Sequence, residues 1–138
     1  MDEKIMHEIA DLVAKTGTII VSSIDENGYP NSKAMWPVEK AGINMFFFST
    51  NFSSNRTQQF LKNPKSCLYF LDNSKTAGLM LVGETEVLTD MGIKKKYWHT
   101  GDEKYYSKGV TDPDYCILKF TAKKGNYYHA LQKFIFDI

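Results

Sequence analysis

Four polar residues that follow an aromatic run carry the strongest chemical signal in the sequence. The run at residues 46–50 (FFFST) has the composition of a buried β-strand, and shortly after it come Ser53, Ser54, Asn55 and Arg56. The pattern beyond them predicts a short helix. Because a helix N-terminus has unpaired backbone N–H groups and partial positive charge, hydroxyl groups and a guanidinium beside it suit a phosphate. The segment therefore predicts an anion site.

We expect a second cation, Lys33, to face the same site, because a hairpin and a turn would bring its strand beside residues 43–49. Arginine offers a planar fork and lysine a point charge, a pair suited to a phosphate dianion. Taken singly, each residue could equally be a solvated surface cation.

A phosphate bound at the end of an aromatic-rich barrel suggests a ligand that also has a flat ring. Flavin mononucleotide (FMN) fits that description. Backbone N–H and C=O groups would then meet the edge of the ring, and we expect them to come from Ala34, Met35 and Trp36. Ordinary core packing is the alternative role for Trp36.

The composition argues against several other classes of function. The chain has 17 basic and 16 acidic residues, which leaves few contacts for nucleic-acid phosphates, and it has no GxSxG, HExxH or P-loop motif. Cys67 and Cys116 lie in apolar runs without CxxC spacing, so we expect buried thiols and no metal site. No apolar run approaches the roughly 20 residues that cross a bilayer. We expect a cytoplasmic protein with neither nucleic acid nor membrane as partner.

Short strands joined by turn residues predict a mainly β, α+β fold, a closed antiparallel barrel in a single domain over residues 1–138. Pro30 and Pro37 are expected to place their strand at a sheet edge or to break it, and Gly83 is expected to mark a bulge or a bend. Turns are expected at 39–42 and 123–125, and the strand at 43–49 is expected to be central. The predicted strands are at 18–24, 29–38, 43–49, 65–71, 79–88, 115–122 and 126–131, and the predicted helices are at 2–14, 54–62 and 89–98.

Four segments together cover nearly all of the chain: NGYPNSKAMW, FFFSTNFSSNRTQQFLKNP, LMLVGETEVLTD and YYSKGVTDPDYCILKFTAKKGNYYH. Through them the chain resembles the FMN-binding split barrels related to pyridoxamine 5'-phosphate oxidase, and among these the small members similar to general stress protein 26. The second segment is the most specific, with matches at Thr50, Asn51, Ser54, Asn63 and Pro64. It departs from the family at Asn55, where the oxidases carry a cation, and has Arg56 in place of a lysine.

The resemblance implies a six- to seven-stranded antiparallel split β-barrel, Greek-key-like, with an N-terminal helix and two or three short inserted helices. It also implies that Lys33 and Arg56 bind the FMN phosphate, with Ser54 and Asn55 beside them, and that Asn51 belongs to the same site. The ring and ribityl chain would be lined by Ala34, Met35, Trp36, Ser49 and Thr50. A homodimer with FMN in the cleft between subunits is implied as well. Candidates for ring or interface contacts are Trp98, Tyr105 and Tyr106.

The resemblance does not extend to oxidation of pyridoxamine phosphate. The oxidases have a basic residue where this chain has Val38, and a longer C-terminal segment. We expect instead an FMN-dependent oxidoreductase or flavin reductase that passes electrons from NADH or NADPH to a small acceptor. The alternatives are a non-catalytic FMN carrier or stress-response redox protein, and a barrel that holds haem or a deazaflavin, with His99 or His129 as the haem ligand.

Overall fold

Eight antiparallel strands and three α-helices make up the fold of residues 2–138, which the computed structural model describes. The strands are β1 (Ile19–Ile24), β2 (Pro30–Met35), β3 (Glu39–Ala41), β4 (Met45–Asn51), β5 (Lys65–Asp72), β6 (Ala77–Leu88), β7 (Tyr115–His129) and β8 (Gln132–Asp137). The helices are α1 (Glu3–Lys15), α2 (Asn55–Lys62) and α3 (Met91–Tyr97), with 3₁₀ turns at Asp102–Lys104 and Gly109–Thr111. The mainly antiparallel α+β class is confirmed.

The order of the strands forces the sheet to close on itself. Its path is β2-β1-β5-β6-β7-β4-β3, and β8 pairs with the edge of β7 that β4 leaves free. The two ends of this path, β2 and β3, are consecutive in the chain, so the Cα atoms of Met35 and Glu39 can be at most about 14 Å apart. At the end of this connection, the Val38 N–H donates to the Phe47 carbonyl at 2.7 Å. The result is the split barrel that the sequence predicts.

Helix α1 covers the barrel interior through Ile9, Leu12 and Val13, which are buried. Asp2 is its N-cap, as its position before the apolar pattern indicates, and accepts a hydrogen bond from the Lys4 N–H. No helix within residues 2–138 is long and apolar enough to span a membrane.

The turn expected at 123–125 does not exist. Strand β7 runs through Lys123-Lys124-Gly125 without interruption, and the chain reverses at Ala130 and Leu131, which both have positive φ. β7 stays extended because it pairs with β6 on one edge and β8 on the other. Gly125 is required by the close approach of the Phe136 ring, to which a Cβ would come within 2.3 Å. The composition of residues 123–125 favours a turn, but pairing of β7 on both of its edges keeps the segment extended.

Two other expectations also need correction. Residues 39–42 are not only a turn, because they include β3, which pairs with β4 from Glu39 to Ala41. Strand β4 is not central, since its second neighbour is this three-residue strand at the end of the sheet path. Its apolar character on both faces reflects two separate cores. One lies inside the barrel and the second lies beneath the long loop of residues 98–114, which connects α3 to β7.

Two local predictions are confirmed. Strand β2, which begins at Pro30, pairs only with β1 and lies at the end of the sheet path. The pairing of β6 with β7 shifts register between Val82 and Gly83, so an irregularity lies at Gly83 as expected, although the extra residue is Lys123 of β7. A Cβ on Gly83 would lie 2.0 Å from the Thr121 carbonyl oxygen, so the backbones approach each other too closely for a side chain.

Candidate phosphate and cofactor site

A cleft of about 360 Å³ opens where β1, β2 and the start of α2 meet. It contains five of the predicted site residues, but the expectation that the strand of Lys33 lies beside residues 43–49 is wrong. Strand β2 does not lie beside β4; the closed barrel instead brings it opposite α2. The lining residues are Val21, Ser23, Asn31, Ser32, Lys33, Asn51, Ser54, Asn55, Arg56 and Gln59.

The start of α2 presents free backbone donors to this cleft. Ser54 is the N-cap, and its hydroxyl oxygen accepts from the Thr57 N–H at 3.1 Å. The N–H groups of Asn55 and Arg56 donate to no acceptor within residues 2–138. Such orphan donors at the positive end of a helix favour an anion.

Arg56 is half-buried at the inner wall of the cleft. Its Nη2 donates to the Thr50 hydroxyl at 2.9 Å, while its Nε is buried without a hydrogen-bond partner in the described part of the chain. Burial lowers the pKa of the guanidinium, because it disfavours the charged form. A buried donor of this kind is costly unless it is satisfied. An anion in the cleft would satisfy it.

Lys33 lies on the inward face of β2, at the mouth of the cleft. Side chains alternate along a strand, so Lys33 shares its face with Met35, which is buried in the core. The Lys33 ammonium makes no hydrogen bond or ion pair among residues 2–138. The two predicted cations therefore face one cleft. Arg56 is held by its hydrogen bond to Thr50, whereas no such bond holds Lys33.

The open edge of β2 supplies backbone groups in alternation. The Asp25 N–H donates to the Tyr29 carbonyl at 2.9 Å, which sets the phase of the hairpin. In that phase Met35 directs its N–H and C=O toward Ile19 in β1, whereas Ala34 and Trp36 direct theirs to the open edge. Of the three backbones expected to meet a ring edge, Ala34 and Trp36 are thus available and Met35 is not.

The side chain of Trp36 is not part of the core. It is 75% exposed, and its indole Nε1 donates to the Thr18 hydroxyl at 2.6 Å. Core packing, the alternative role considered for this residue, is therefore wrong. The hydrogen bond fixes the orientation of an exposed aromatic ring beside the open edge of β2.

Ser49 and Thr50 lie on opposite faces of β4. Thr50 is buried on the side of the cleft, where it does not line the wall itself but accepts the hydrogen bond from Arg56, which does. Ser49 follows the alternation of Phe47 and faces the second core, where its hydroxyl oxygen is buried. The structure therefore separates two residues that were expected to line the same ligand.

The tyrosines of the long loop pack within their own chain. Tyr106 lies 4.8 Å from Tyr115 between ring centroids, and Trp98 meets Tyr115 edge-on at 5.1 Å. Burial raises the pKa of Tyr106 to about 12. Only Tyr105 of the three loop candidates is exposed, at 68%. Trp98 and Tyr106 thus stabilise the second core.

Neither histidine considered as a haem ligand lines the cleft. His129 lies at the end of β7, where its Nδ1 is 2.8 Å from a carboxylate oxygen of Glu8. His99 is exposed in the loop after α3. Residues 2–138 contain no group of three or more histidine, cysteine, aspartate or glutamate side chains that could hold a metal ion.

Asp114 is a residue of the site that sequence reasoning missed. Its carboxylate accepts hydrogen bonds from the Ser53 N–H and the Asn51 side-chain amide, each at 2.8 Å. Its carbonyl accepts from the Phe52 N–H at 2.7 Å. These contacts fix the loop that leads into α2, and they remove the Ser53 N–H from the expected anion site. Nothing in the sequence signalled this role, because Asp114 follows Pro113 in a long loop.

The family model described as pyridoxamine 5'-phosphate oxidase matches residues 5–129 of this chain. The chain belongs to the pyridoxamine 5'-phosphate oxidase family. The resemblance inferred from the four sequence segments is therefore confirmed. No curated protein matches the chain.

Solved structures also match the chain over nearly its whole length. One is a protein from Clostridium acetobutylicum related to general stress protein 26 of B. subtilis, of the pyridoxinephosphate oxidase family. It is 46% identical, with a TM-score of 0.88, over 100% of this chain and 97% of its own. General stress protein 26 from Bacillus anthracis is 15% identical, with a TM-score of 0.76, over 97% of this chain and 98% of its own.

A third structure, like the one from Bacillus anthracis, shows a likeness of fold alone. It is a NimC/NimA family protein from Clostridium acetobutylicum, 18% identical, with a TM-score of 0.69 over 96% of this chain and 92% of its own. The two chains thus have the same fold although most of their side chains differ. The cleft residues of this chain must be argued from its own geometry.

Asp114→Asn tests whether the carboxylate holds the loop before α2. Hydrogen bonds from Asn51 and Ser53 lower the pKa of Asp114. The carboxylate therefore contributes stability above its unfolded pKa of about 4, and the contribution is lost as pH falls through the lower folded pKa. We expect the variant to melt at a lower temperature than the wild type at pH 7, and this gap to close as the pH is lowered. Circular dichroism melts across pH measure it.

Asp11→Asn is the matched control, because the Asp11 carboxylate is exposed on α1 and accepts no hydrogen bond from the described residues. It should change the melting temperature little at any pH. A gap for Asp114→Asn that stayed constant down to acid pH would contradict the role assigned to the charge.

Proposed function

We propose that the cleft binds FMN, with the phosphate held by Arg56, Lys33 and the free N–H groups at the start of α2. The half-buried Arg56, with its unpartnered Nε, carries this proposal. It lies beside orphan donors of Asn55 and Arg56, so guanidinium, ammonium and backbone groups converge on one point. Asn55 adds no charge where the oxidases carry a cation, and the Ser54 hydroxyl is engaged with Thr57.

The rest of such a ligand would extend along the open edge of β2. Ala34 and Trp36 have backbone groups directed to this edge, which suits recognition of a heteroaromatic ring by main-chain donors and acceptors. Thr50 and Asn51 lie next to the phosphate end and are placed to meet the ribityl chain. When bound, FMN would supply the redox chemistry, while these residues bind and orient it.

The reaction we propose is electron transfer from NADH or NADPH to a small acceptor. Oxidation of a phosphorylated substrate is disfavoured, because it needs a second phosphate clamp. The single arginine of the chain is engaged with Thr50, and Val38 packs against the second core where the oxidases have a basic residue. In hydride transfer the protein mainly orients the two rings and excludes water. This cleft can do both without a dedicated acid or base.

An apolar outer face of the sheet supports a homodimer. The register aligns one row of side chains across six strands, and none of them is charged: Ala34, Ile20, Tyr69, Met80, Asn126 and Ile135. The next row adds the exposed side chains of Leu71 and Tyr128 and ends on β8 at the exposed Lys133, so the charge lies at the border of this face. Monomers rarely expose a continuous apolar surface of this kind.

We propose that a second copy of the chain covers this outer face. An uncharged row complements itself in an isologous contact, and the row begins at Ala34, beside the open edge of β2. A second subunit there would border the ring end of the cleft. The interface expected at Trp98 and Tyr106 is replaced in this proposal, because those side chains are packed inside their own chain.

A role in the stress response is part of the proposal and follows from the description of a related protein. The relative that is 46% identical is described as related to general stress protein 26. No feature of the cleft selects a particular stress or acceptor.

The absorption spectrum of the purified protein tests the proposed reaction. We expect a flavin spectrum that bleaches when NADH or NADPH is added without oxygen. A flavin spectrum that resists both nicotinamides would favour a non-catalytic carrier. A Soret band would show that the protein holds haem instead of FMN and would overturn the proposal.

Arg56→Ala is expected to weaken FMN binding by about 10- to 100-fold, because hydrogen bonds to charged groups contribute about 1.5–3 kcal/mol. Calorimetric titration of the apo protein with FMN measures the change. Arg56→Lys is the matched variant, since it keeps the charge and loses the planar fork. Its affinity for FMN should lie between those of the wild type and Arg56→Ala. Unchanged affinity in a folded Arg56→Ala protein would contradict the phosphate assignment.

Leu71→Glu is expected to convert the dimer into monomers, because it places a charge in the apolar outer face. The matched control is Leu61→Glu on α2, since Leu61 is 52% exposed and Leu71 is 56% exposed. Sedimentation or light scattering at micromolar concentration measures the mass. A monomeric wild type, or dissociation of both variants alike, would contradict this interface.

A further inference from the structure

Strand β8 has one edge without a backbone partner. It pairs with β7 alone, and its backbone groups make no hydrogen bond to any other element within residues 2–138. Phe134 and Phe136 pack against the barrel core, whereas Ile135 is 60% exposed on the outer face. The strand has neither a proline nor a bulge, which are common protections of such an edge. The edge is therefore open to pairing with another strand.

The hairpin that joins β7 to β8 decides which backbone groups lie on the open edge. Its loop has two residues, both at positive φ, so the flanking pair, His129 and Gln132, exchanges both of its hydrogen bonds. The alternation continues to Ile138, whose N–H donates to the Lys123 carbonyl at 3.0 Å. The odd-numbered residues of β8 direct their N–H and C=O groups to the open edge: Lys133, Ile135 and Asp137.

The sequence of this edge is complementary to itself. Two antiparallel copies of β8 centred on Ile135 would bring each Lys133 opposite Asp137 of the other copy. Phe134 of one copy would then lie opposite Phe136 of the other. In this register the residues with free backbone groups face each other, so every free N–H and C=O finds a partner. Lys133 is exposed and makes no hydrogen bond or ion pair within residues 2–138.

We propose that β8 pairs edge to edge with β8 of a second copy of the chain, antiparallel and centred on Ile135. The uncharged outer row ends at Ile135, so it would continue into the row of the second copy. The edge of β8 and its outer face are different surfaces. Edge pairing can therefore join two of the dimers proposed above, and it does not depend on the flavin site.

The contact should be weak, because a single strand buries far less than the roughly 1,200 Å² of a stable interface. It should not hold the Leu71→Glu variant together at micromolar concentration. A disulfide can trap a contact of this strength at higher concentration.

Oxidative cross-linking tests both the contact and its register. Ile135→Cys at roughly 100 µM should form a disulfide-linked dimer, because directly opposed Cα atoms lie about 5.5 Å apart, within the reach of a disulfide. Lys133→Cys and Asp137→Cys should each stay unlinked alone, since each thiol lies roughly 14 Å from its own copy. A mixture of these two variants should cross-link. Non-reducing electrophoresis measures the product, and the wild type gives the baseline for Cys67 and Cys116.

Lys133→Asp, added to Ile135→Cys, should slow the cross-linking about tenfold, because it places like charges opposite each other at both ends of the pairing. Lys133 is the better choice for this change, since Asp137 also lies 3.7 Å from Lys124 of its own chain. Lys95→Asp is the matched control, with the same change of charge on an exposed lysine of α3. It should leave the rate unchanged.

The Leu71→Glu change separates the edge contact from the outer-face contact. Added to Ile135→Cys, it should leave the cross-link in place, because it disrupts only the outer face. Absence of a cross-link in Ile135→Cys, equal cross-linking of all three single cysteine variants, or loss of the cross-link with Leu71→Glu would overturn the inference. The proposed flavin site would stand in each case, since flavin binding is measured separately.

Discussion

Closure of the barrel across residues 36–38 is the constraint on which the candidate site depends. The sheet path has β2 at one end and β3 at the other, and only a three-residue connection joins them. Because this connection is short, β2 must curl over the barrel instead of extending the sheet. Lys33 then faces α2, although its strand has no hydrogen bonds to β4 or to the helix.

The start of α2 is a second point where structure and chemistry are coupled. Asp114 holds the loop at Asn51 and Ser53, and Ser54 caps the helix. These bonds place Arg56 against Thr50 with part of its guanidinium buried and unsatisfied. A folded chain tolerates such a cost where an anion can compensate for it. The cleft is thus better suited to holding a phosphate than to acid or base catalysis.

In the proposed arrangement, one face of the barrel wall serves binding and the other serves assembly. Inward side chains fill the core and, at one end, line the cleft. Outward side chains form an uncharged row from Ala34 to Ile135, which the fold of a single chain leaves exposed. The open edge of β2 borders both the cleft and the outer row. The ring end of the proposed ligand and the proposed subunit contact therefore meet at Ala34. One short edge strand therefore links cofactor binding to dimer formation in this proposal.

Much of the local structure could be predicted from the sequence, because it depends on neighbours along the chain. Asp2 and Ser54 cap helices, and the hairpin after Ile24 turns at Gly28 because the turn requires positive φ. Lys123-Lys124-Gly125 shows the limit of such reasoning: its composition favours a turn, but pairing with β6 and β8 keeps it extended.

The tertiary structure decided which predicted residues share a site. Alternation along β2 and β4 separates Met35 from Ala34 and Ser49 from Thr50, and a sequence without its strand register cannot show which face is inward. Asp114 entered the site from a distant loop through long-range hydrogen bonds. The sequence by itself determined the family, the elements and the residue types of an anion site. Only the closed barrel determined their placement, because that depends on contacts between residues far apart in the chain.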